Sequence, residues 1–195
     1  MDFAQVVARR RMVRRYRDDP VEPAVLARVL QVAIRGPSAG WSQGVRFVAV
    51  TDPGTRAGIA ERCGEPEHLR RGFQPWLSTA PVHVVVTVRE DDYRRRYAEA
   101  DKRGSRGPDA WRVPYWWVDA GAALQLLLLA AVDEGLAAGF LDIADPDGIR
   151  ELLGIPADVA LVGLVTLGHP APDRASSSLR RGRRPAGEVI RYERW

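Results

Sequence analysis

The sequence offers little sulfur chemistry. Cys63 is the only cysteine among 195 residues. An intrachain disulfide is therefore excluded, and a cysteine-based metal site has no partners. The three histidines, His68, His83 and His169, show no ligand spacing such as HExxH. Lysine is almost missing: Lys102 is the only one, which leaves arginine to supply the rest of the 29 basic residues. Long apolar runs are scarce. The longest, Ala120 to Val132, is interrupted by Gln125 and flanked by Asp119 and Asp133, and it falls short of the roughly 20 residues that cross a bilayer. The N-terminus lacks the charged-then-apolar layout of a signal peptide. These absences point to a soluble, cytoplasmic chain with no membrane partner.

Apolar residues make up 46% of the sequence, the usual share for a folded chain of one-domain size. The formal charge is +4 and the pI about 9.7. The arginines gather at Arg9-Arg10-Arg11, at Arg14-Arg15 with Arg17, and at Arg180-Arg181 with Arg183-Arg184. Such clusters serve either a nucleic-acid surface or a small-molecule phosphate site suited to the planar guanidinium fork. Composition alone leaves both open.

Period and punctuation give the elements. Asp2 can cap a first helix carrying Phe3, Val6, Val7 and Arg10 on one face. Pro20 and Pro23 bracket the start of a second, with Val25, Leu26, Val29, Leu30 and Ala33 at helical spacing and a stop at Gly36-Pro37. Val45 to Thr51 reads as a strand, and Asp52-Pro53 opens a helix to about Cys63. Val82 to Val88 is the continuous apolar run of a strand covered on both faces. Glu90 to Arg112 is polar and low in regular pattern, as in a variable lid or insert. Trp116 to Leu136 is apolar nearly all round, which predicts a long buried central helix. Gly139 to Ile143 predicts a short strand, Asp145-Pro146 to Gly154 a helix, Val159 to Leu167 a buried strand, and Glu188 to Tyr192 a last strand. The chain is expected to form one domain over 1–195, with 171–195 as a C-terminal extension.

Four segments in fixed order carry the most specific signal. They are Arg10-Arg11-Met12-Val13-Arg14-Arg15-Tyr16; Pro37-Ser38-Ala39-Gly40-Trp41-Ser42-Gln43; Asp119-Ala120-Gly121 running through Gln125 to Glu134-Gly135-Leu136; and Leu152-Leu153-Gly154-Ile155-Pro156 with Leu167-Gly168-His169-Pro170 and Arg181-Gly182-Arg183-Arg184-Pro185. In this ordered set the chain resembles the nitroreductase family, whose members begin with an R-R-S-x-R-x-[FY]-like helix end and a P-S-x-x-N-S-Q-P-W-like loop. The resemblance runs from about residue 4 to 192, except for Glu90 to Arg112.

That resemblance implies an α+β, three-layer fold: a central mixed or antiparallel sheet flanked by helices, assembled as a homodimer. It implies FMN at the dimer interface, NAD(P)H as reductant and a small-molecule acceptor in the same site. No nucleic-acid partner and no metal are expected. The flavin carries the hydride chemistry and the protein orients it, so no catalytic side chain is named. Arg10, Arg11, Met12 and Arg14 fall where the family holds the FMN phosphate and ribityl chain. Arg181 and Arg183 fall on two further phosphate-binding positions, for which charge-assisted guanidinium bonds are suited. Ser38, Ala39 and Gly40 match the loop that the partner subunit lays against the flavin, and Gln43 a position near the flavin end of the site. Leu141, Asp142 and Ile143 align with the segment beside the ring. The bland alternatives are a solvated helix end for the arginines, an ordinary Pro-Ser turn for the loop and a surface carboxylate for Asp142. Trp41 stands where the family has Asn, which suits a ring-stacking residue or interface core. Tyr93, Tyr97 and Trp111 are lid candidates, and Cys63 and His169 read as structural.

Met12 replaces the usual Ser. A flavin-consuming, benzimidazole-forming branch is similar in its Arg-rich helix end and its aromatic loop residue, but carries Asp where this chain has Met12. A thioether has no exchangeable proton, which favours the reductase over that branch. A bound deazaflavin is the nearest alternative cofactor, and a non-catalytic flavin- or nucleic-acid-binding module is the alternative function.

Overall fold

The computed structural model describes residues 1–173 and 176–195. The expected extension 171–195 is thus described except at 174 and 175. Side-chain caps begin several helices as the sequence implies. The Asp2 carboxylate accepts from the Gln5 N–H at 2.8 Å and starts α1, Phe3–Arg9. Pro23 opens α2, Pro23–Ala33. Asp52 accepts from the Thr55 N–H at 2.7 Å and starts α3, Pro53–Arg62. A short α4, Glu65–Arg70, follows Gly64, and α5, Glu90–Tyr97, precedes the long α6, Tyr115–Asp133. Asp145 caps α7, Pro146–Leu153, and α8 spans Ala186–Val189.

The strands are β1 (Val45–Val50), β2 (Val82–Val88), β3 (Ala137–Leu141) and β4 (Ala160–Gly168). They form one sheet in the order β1-β2-β4-β3, antiparallel throughout, with Val84 opposite Ala49 on one side and Val165 on the other. Every residue of β2 is buried, because alternating side chains enter two cores. Val82, Val84 and Val86 pack with Leu26 and Val29 of α2 and Leu127, Leu128 and Ala131 of α6. Val85 packs with Ile59 of α3 and Ile149 of α7. Helices on both faces of a sheet make the expected three-layer α+β architecture.

Four expectations need correction. Glu90–Arg112 is not irregular: it holds α5 and 3-10 turns at Ala100–Lys102 and Pro108–Ala110. Acidic residues at its head and arginines at its tail suit the helix dipole and give i,i+4 pairs, a signal that hydrophobic periodicity does not read. The central helix is not buried throughout. Trp117 and Val118 in its first turns are exposed, as are Gly121 and Gln125 further along. The third strand starts two residues earlier than expected, so Ile143 lies beyond it, in the α3/α7 core. Glu188–Tyr192 forms no strand; Pro185 starts the helical turn of α8, whose Ile190 N–H donates to Ala186 O at 2.8 Å.

His83 on β2 is fully buried. Its Nε2–H donates to Leu77 O at 2.9 Å, and Nδ1 has no partner among the described residues. Burial lowers its pKa from 6.5 to about 4. The folded chain thus keeps His83 neutral where the unfolded chain takes up a proton, so stability falls as pH drops from 6.5 towards 4, by about 3 kcal/mol in full. We expect His83→Gln to flatten this slope in denaturant titrations between pH 7 and 4. An unchanged slope would assign the acid sensitivity to other groups.

Candidate functional site

Helix α1 ends because Arg10 turns extended, at φ −61°, ψ 120°. The chain then runs beside the outer strand β3: Met12 bridges Ala138 in parallel, and the Val13 N–H donates to Ala138 O at 2.9 Å. Val13 and Tyr16 point inward. The Tyr16 hydroxyl lies 2.7 Å from Thr166 Oγ1 and donates to Val13 O at 2.9 Å, and its burial raises its pKa above 10. With Val13 and Tyr16 turned inward, Met12, Arg14 and Arg15 are exposed and Arg10 is half-buried. Close approach at this seam requires Gly139: a Cβ there would lie 2.6 Å from Val13 O and 3.0 Å from the Trp76 ring.

Glu65 builds the facing wall. Its buried carboxylate accepts from the N–H groups of Trp76 (2.8 Å), Leu77 (2.7 Å) and Ser78 (3.0 Å). Burial pushes its pKa up, but the Ser78 hydroxyl and these N–H groups outweigh that and hold it below the usual carboxylate value. The turn so fixed presents Trp76, with the Arg14 guanidinium 5.5 Å over its indole. Arg14, Arg15, Phe73, Gln74, Trp76 and Asp173 line a cavity of about 550 Å³, a size suited to a cofactor. The Asp173 carboxylate accepts from the Arg14 N–H at 2.9 Å.

Among the described residues, Arg10, Arg11, Arg14 and Arg15 form no ion pair, nor do Arg181 and Arg183, whereas Arg94, Arg95 and Arg96 are all paired with carboxylates. Arg181 and Arg183 stand exposed in the tail, and no described contact joins them to Arg10 or Arg14. Leu141 is half-buried and Asp142 exposed, both close to this edge, while the Ile143 side chain is core.

The second predicted segment lies elsewhere. Its backbone is held in an uncommon shape, with positive φ at Gly40 (62°), Trp41 (64°) and Gln43 (52°). Left-handed geometry costs a non-glycine residue roughly 1–2 kcal/mol, so the surroundings must impose it. They do so through Asp119, 4% exposed on α6. One of its oxygens accepts both the Ala39 N–H and the Tyr93 hydroxyl, each at 2.8 Å. The Gln43 N–H donates to Ser38 Oγ at 2.7 Å, and Arg96 Nε to Gly40 O at 2.8 Å. A Cβ at Gly40 would stand 2.5 Å from the Tyr97 ring. The loop backbone is clamped while the Trp41 side chain is 70% exposed.

Tyr93 was expected in a lid, and this is a further correction. It is fully buried, and burial together with the Asp119 carboxylate raises its pKa; it anchors the loop. Tyr97 and Trp111 are half-buried and meet edge-to-face at 4.9 Å. Cys63 is half-buried, and burial pushes its thiol up to about 11, which leaves it inert as a nucleophile. Among the described residues no group of acidic, histidine and cysteine side chains could hold a metal ion.

A model of the nitroreductase family matches residues 7–169. The chain belongs to the nitroreductase family. A curated relative named NADH dehydrogenase, from Thermus thermophilus, is 29% identical over 89% of each chain. A 5,6-dimethylbenzimidazole synthase of Rhodospirillum rubrum is 30% identical over 93% of this chain and 90% of its own. Among solved structures, a nitroreductase family protein of Clostridium difficile superposes with TM-score 0.75 at 22% identity over the whole of both chains. The NADPH:FMN oxidoreductase of Vibrio harveyi, solved with NAD+, gives 0.73 at 22% identity over 98% of this chain and 77% of its own.

Within this family member, the sequence-predicted residues fall into two groups, with Arg181 and Arg183 of the tail in neither. Arg10–Arg14 with Leu141–Asp142 lie at β3, and Ser38–Gln43 with Tyr93, Tyr97 and Trp111 adjoin β1. These strands are the two edges of the sheet, three strand spacings or about 14 Å apart, and no described hydrogen bond or ion pair joins the groups. Sequence reasoning missed Glu65, Gln74, Trp76 and Asp173. It quoted Asp119 without a role, although an acid at the head of an apolar helix is itself a signal.

Asp119→Ala would strip two donors of a buried charged acceptor and should cost about 3 kcal/mol in denaturant unfolding. Tyr93→Phe should cost less, and the double variant less than the sum, since both remove one shared interaction. Additive losses, or an Asp119→Ala cost near zero, would show that the carboxylate does not hold the loop.

Proposed function

We propose that this chain is an FMN-dependent NAD(P)H oxidoreductase that works as a homodimer in the cytoplasm. The observation that carries this reading is the run Arg10–Arg15 without ion pairs, of which Arg14 and Arg15 line the Trp76 cavity, in a chain of the nitroreductase family. A phosphate dianion must be paired where it is bound, and Arg10, Arg11 and Arg14 offer bidentate, charge-assisted donors that form no ion pair among the described residues, the Asp173 carboxylate being engaged by the Arg14 backbone N–H. Trp76 and the Gln74 amide give a flat wall and a polar handle for a ring system. The residues present therefore fit the cofactor.

When bound, FMN supplies two-electron chemistry between NAD(P)H and a conjugated acceptor such as a nitroaromatic, quinone or enone. The side chains bind, orient and shield. Arg10 and Arg14 hold the phosphate and ribityl end, with Arg181 and Arg183 of the tail as further cations. Leu141 and Asp142 offer backbone groups beside the ring. Ser38, Ala39, Gly40 and Gln43 cover the opposite face from the second copy, which the placement of the two groups on opposite sheet edges supports. Trp41, exposed in one chain, excludes water there. The names of the Thermus and Vibrio relatives support the same class.

A second reading has its own observation. The Rhodospirillum relative is a benzimidazole synthase, and Asp173 brings a carboxylate to the Arg14 backbone, a group that Met12 does not supply. Proton transfer near the ribityl chain would suit such a carboxylate.

Purified protein should take up one FMN per subunit. Arg10→Ala should weaken binding by about 2 kcal/mol, the loss of one charged interaction, with Arg183→Ala acting in the same direction. Protein that fails to take up FMN would contradict the proposal. Flavin reduced with NADPH or dithionite should return intact on exposure to air; stoichiometric loss with benzimidazole formed would establish the second reading, and Asp173→Asn should then abolish it.

A further inference from the structure

The segment joining β2 to α6 encloses a second cavity of about 450 Å³, lined by Ala39, Tyr97, Arg106, Trp111, Arg112 and Tyr115 among others. Its walls are aromatic. Trp111 meets Tyr97 edge-to-face at 4.9 Å and Tyr115 at 5.1 Å, and the Trp111 indole N–H is tied to Arg106 O at 2.8 Å. Interlocked rings of this kind form a rigid wall against which a planar apolar body can pack. Ala39 is the residue whose N–H is held by Asp119, so the cavity opens on the clamped loop.

Charge in this segment is sorted. It contains six carboxylates, at Glu90, Asp91, Asp92, Glu99, Asp101 and Asp109. All are paired with Arg94, Arg95 or Arg96, and Asp92 also with Arg46. Among the described residues, Arg106 and Arg112 at the cavity form no ion pair. The acids are spent on α5, and the aromatic cavity keeps two uncompensated guanidiniums at its mouth.

We propose that this cavity binds a planar aromatic anion, an aromatic ring with a carboxylate, and that among conjugated acceptors such as nitroaromatics and quinones it selects those that carry one. The acceptor role rests on the flavin reading above; the anion preference does not. The ring lies against the wall formed by Tyr97, Trp111 and Tyr115, and the carboxylate faces Arg106 and Arg112. Because the two cations are solvent-exposed, the preference for anion over neutral isostere should be about fivefold to tenfold and should shrink at high salt.

The test uses the full chain and isothermal titration calorimetry with 2-naphthoate, 2-naphthamide and AMP, flavin content being recorded on the same sample. We expect naphthoate to bind about fivefold to tenfold tighter than naphthamide, and Arg106→Gln/Arg112→Gln to remove the difference without changing naphthamide affinity. Equal affinities for the two probes, or naphthoate binding untouched by the double substitution, would overturn the proposal. Tighter binding of AMP, lost in the double variant, would overturn the acceptor assignment and give the cations to the dinucleotide. Naphthoate selectivity in protein that takes up no FMN would overturn the flavin reading while upholding the anion site.

Discussion

A single buried carboxylate organises one end of the molecule. Asp119 enters an apolar cluster with Val88, Tyr93 and Ala120 because two donors meet it there, the Ala39 N–H and the Tyr93 hydroxyl. A buried charge so paired is tolerable, and the same charge unpaired is costly. The interaction therefore ties three pieces of chain, the loop before β1, helix α5 and helix α6, into one arrangement. The left-handed backbone of Trp41 and Gln43 and the packing of Tyr97 on Gly40 depend on it. So does the aromatic cavity, whose lining includes the residue that Asp119 holds.

The other end is organised by unpaired charge of the opposite sign. Segment Arg10–Tyr16 is pinned by Val13 and Tyr16 and leaves its arginines without carboxylate partners. Glu65 supplies the matching wall by gathering three N–H groups to set Trp76 in place. One end thus holds a rigid loop with an exposed indole, and the other a cationic cradle beside a flat wall. On the proposed function each is half of a binding site. The order β1-β2-β4-β3 keeps the halves apart within one chain, which makes a second copy the economical way to complete both.

The layers were legible in the sequence because they rest on local signals. The apolar run of β2, the caps Asp2, Asp52 and Asp145 and the spacing of Val25, Leu26 and Val29 fixed the elements without tertiary information. The helix α5 was missed because its order comes from charge pairing, and the strand expected at Glu188–Tyr192 failed because apolar residues after a proline-led turn do not by themselves find a sheet edge. The arginines of the candidate site were readable as a chemistry-bearing set. Gln74, Trp76 and Asp173 were not, since they reach Arg14 only through the turn that Glu65 builds and through the return of the chain after β4. Tyr93 was misplaced for a related reason: a tyrosine among charges reads as surface until the buried acid that it meets, 26 positions along the chain, is known.

The central claim is that the two halves come from different copies and meet around one FMN. Mixed dimers test it directly. One subunit would carry Arg10→Ala/Arg14→Ala and the other Gly40→Val, each on its own unable to bind FMN as a homodimer. In the mixed dimer one site receives both defects and the other neither, so we expect one FMN per mixed dimer, read from absorbance after tagged purification. Mixed dimers that bind no FMN would show that both halves act within a single chain and would contradict the account.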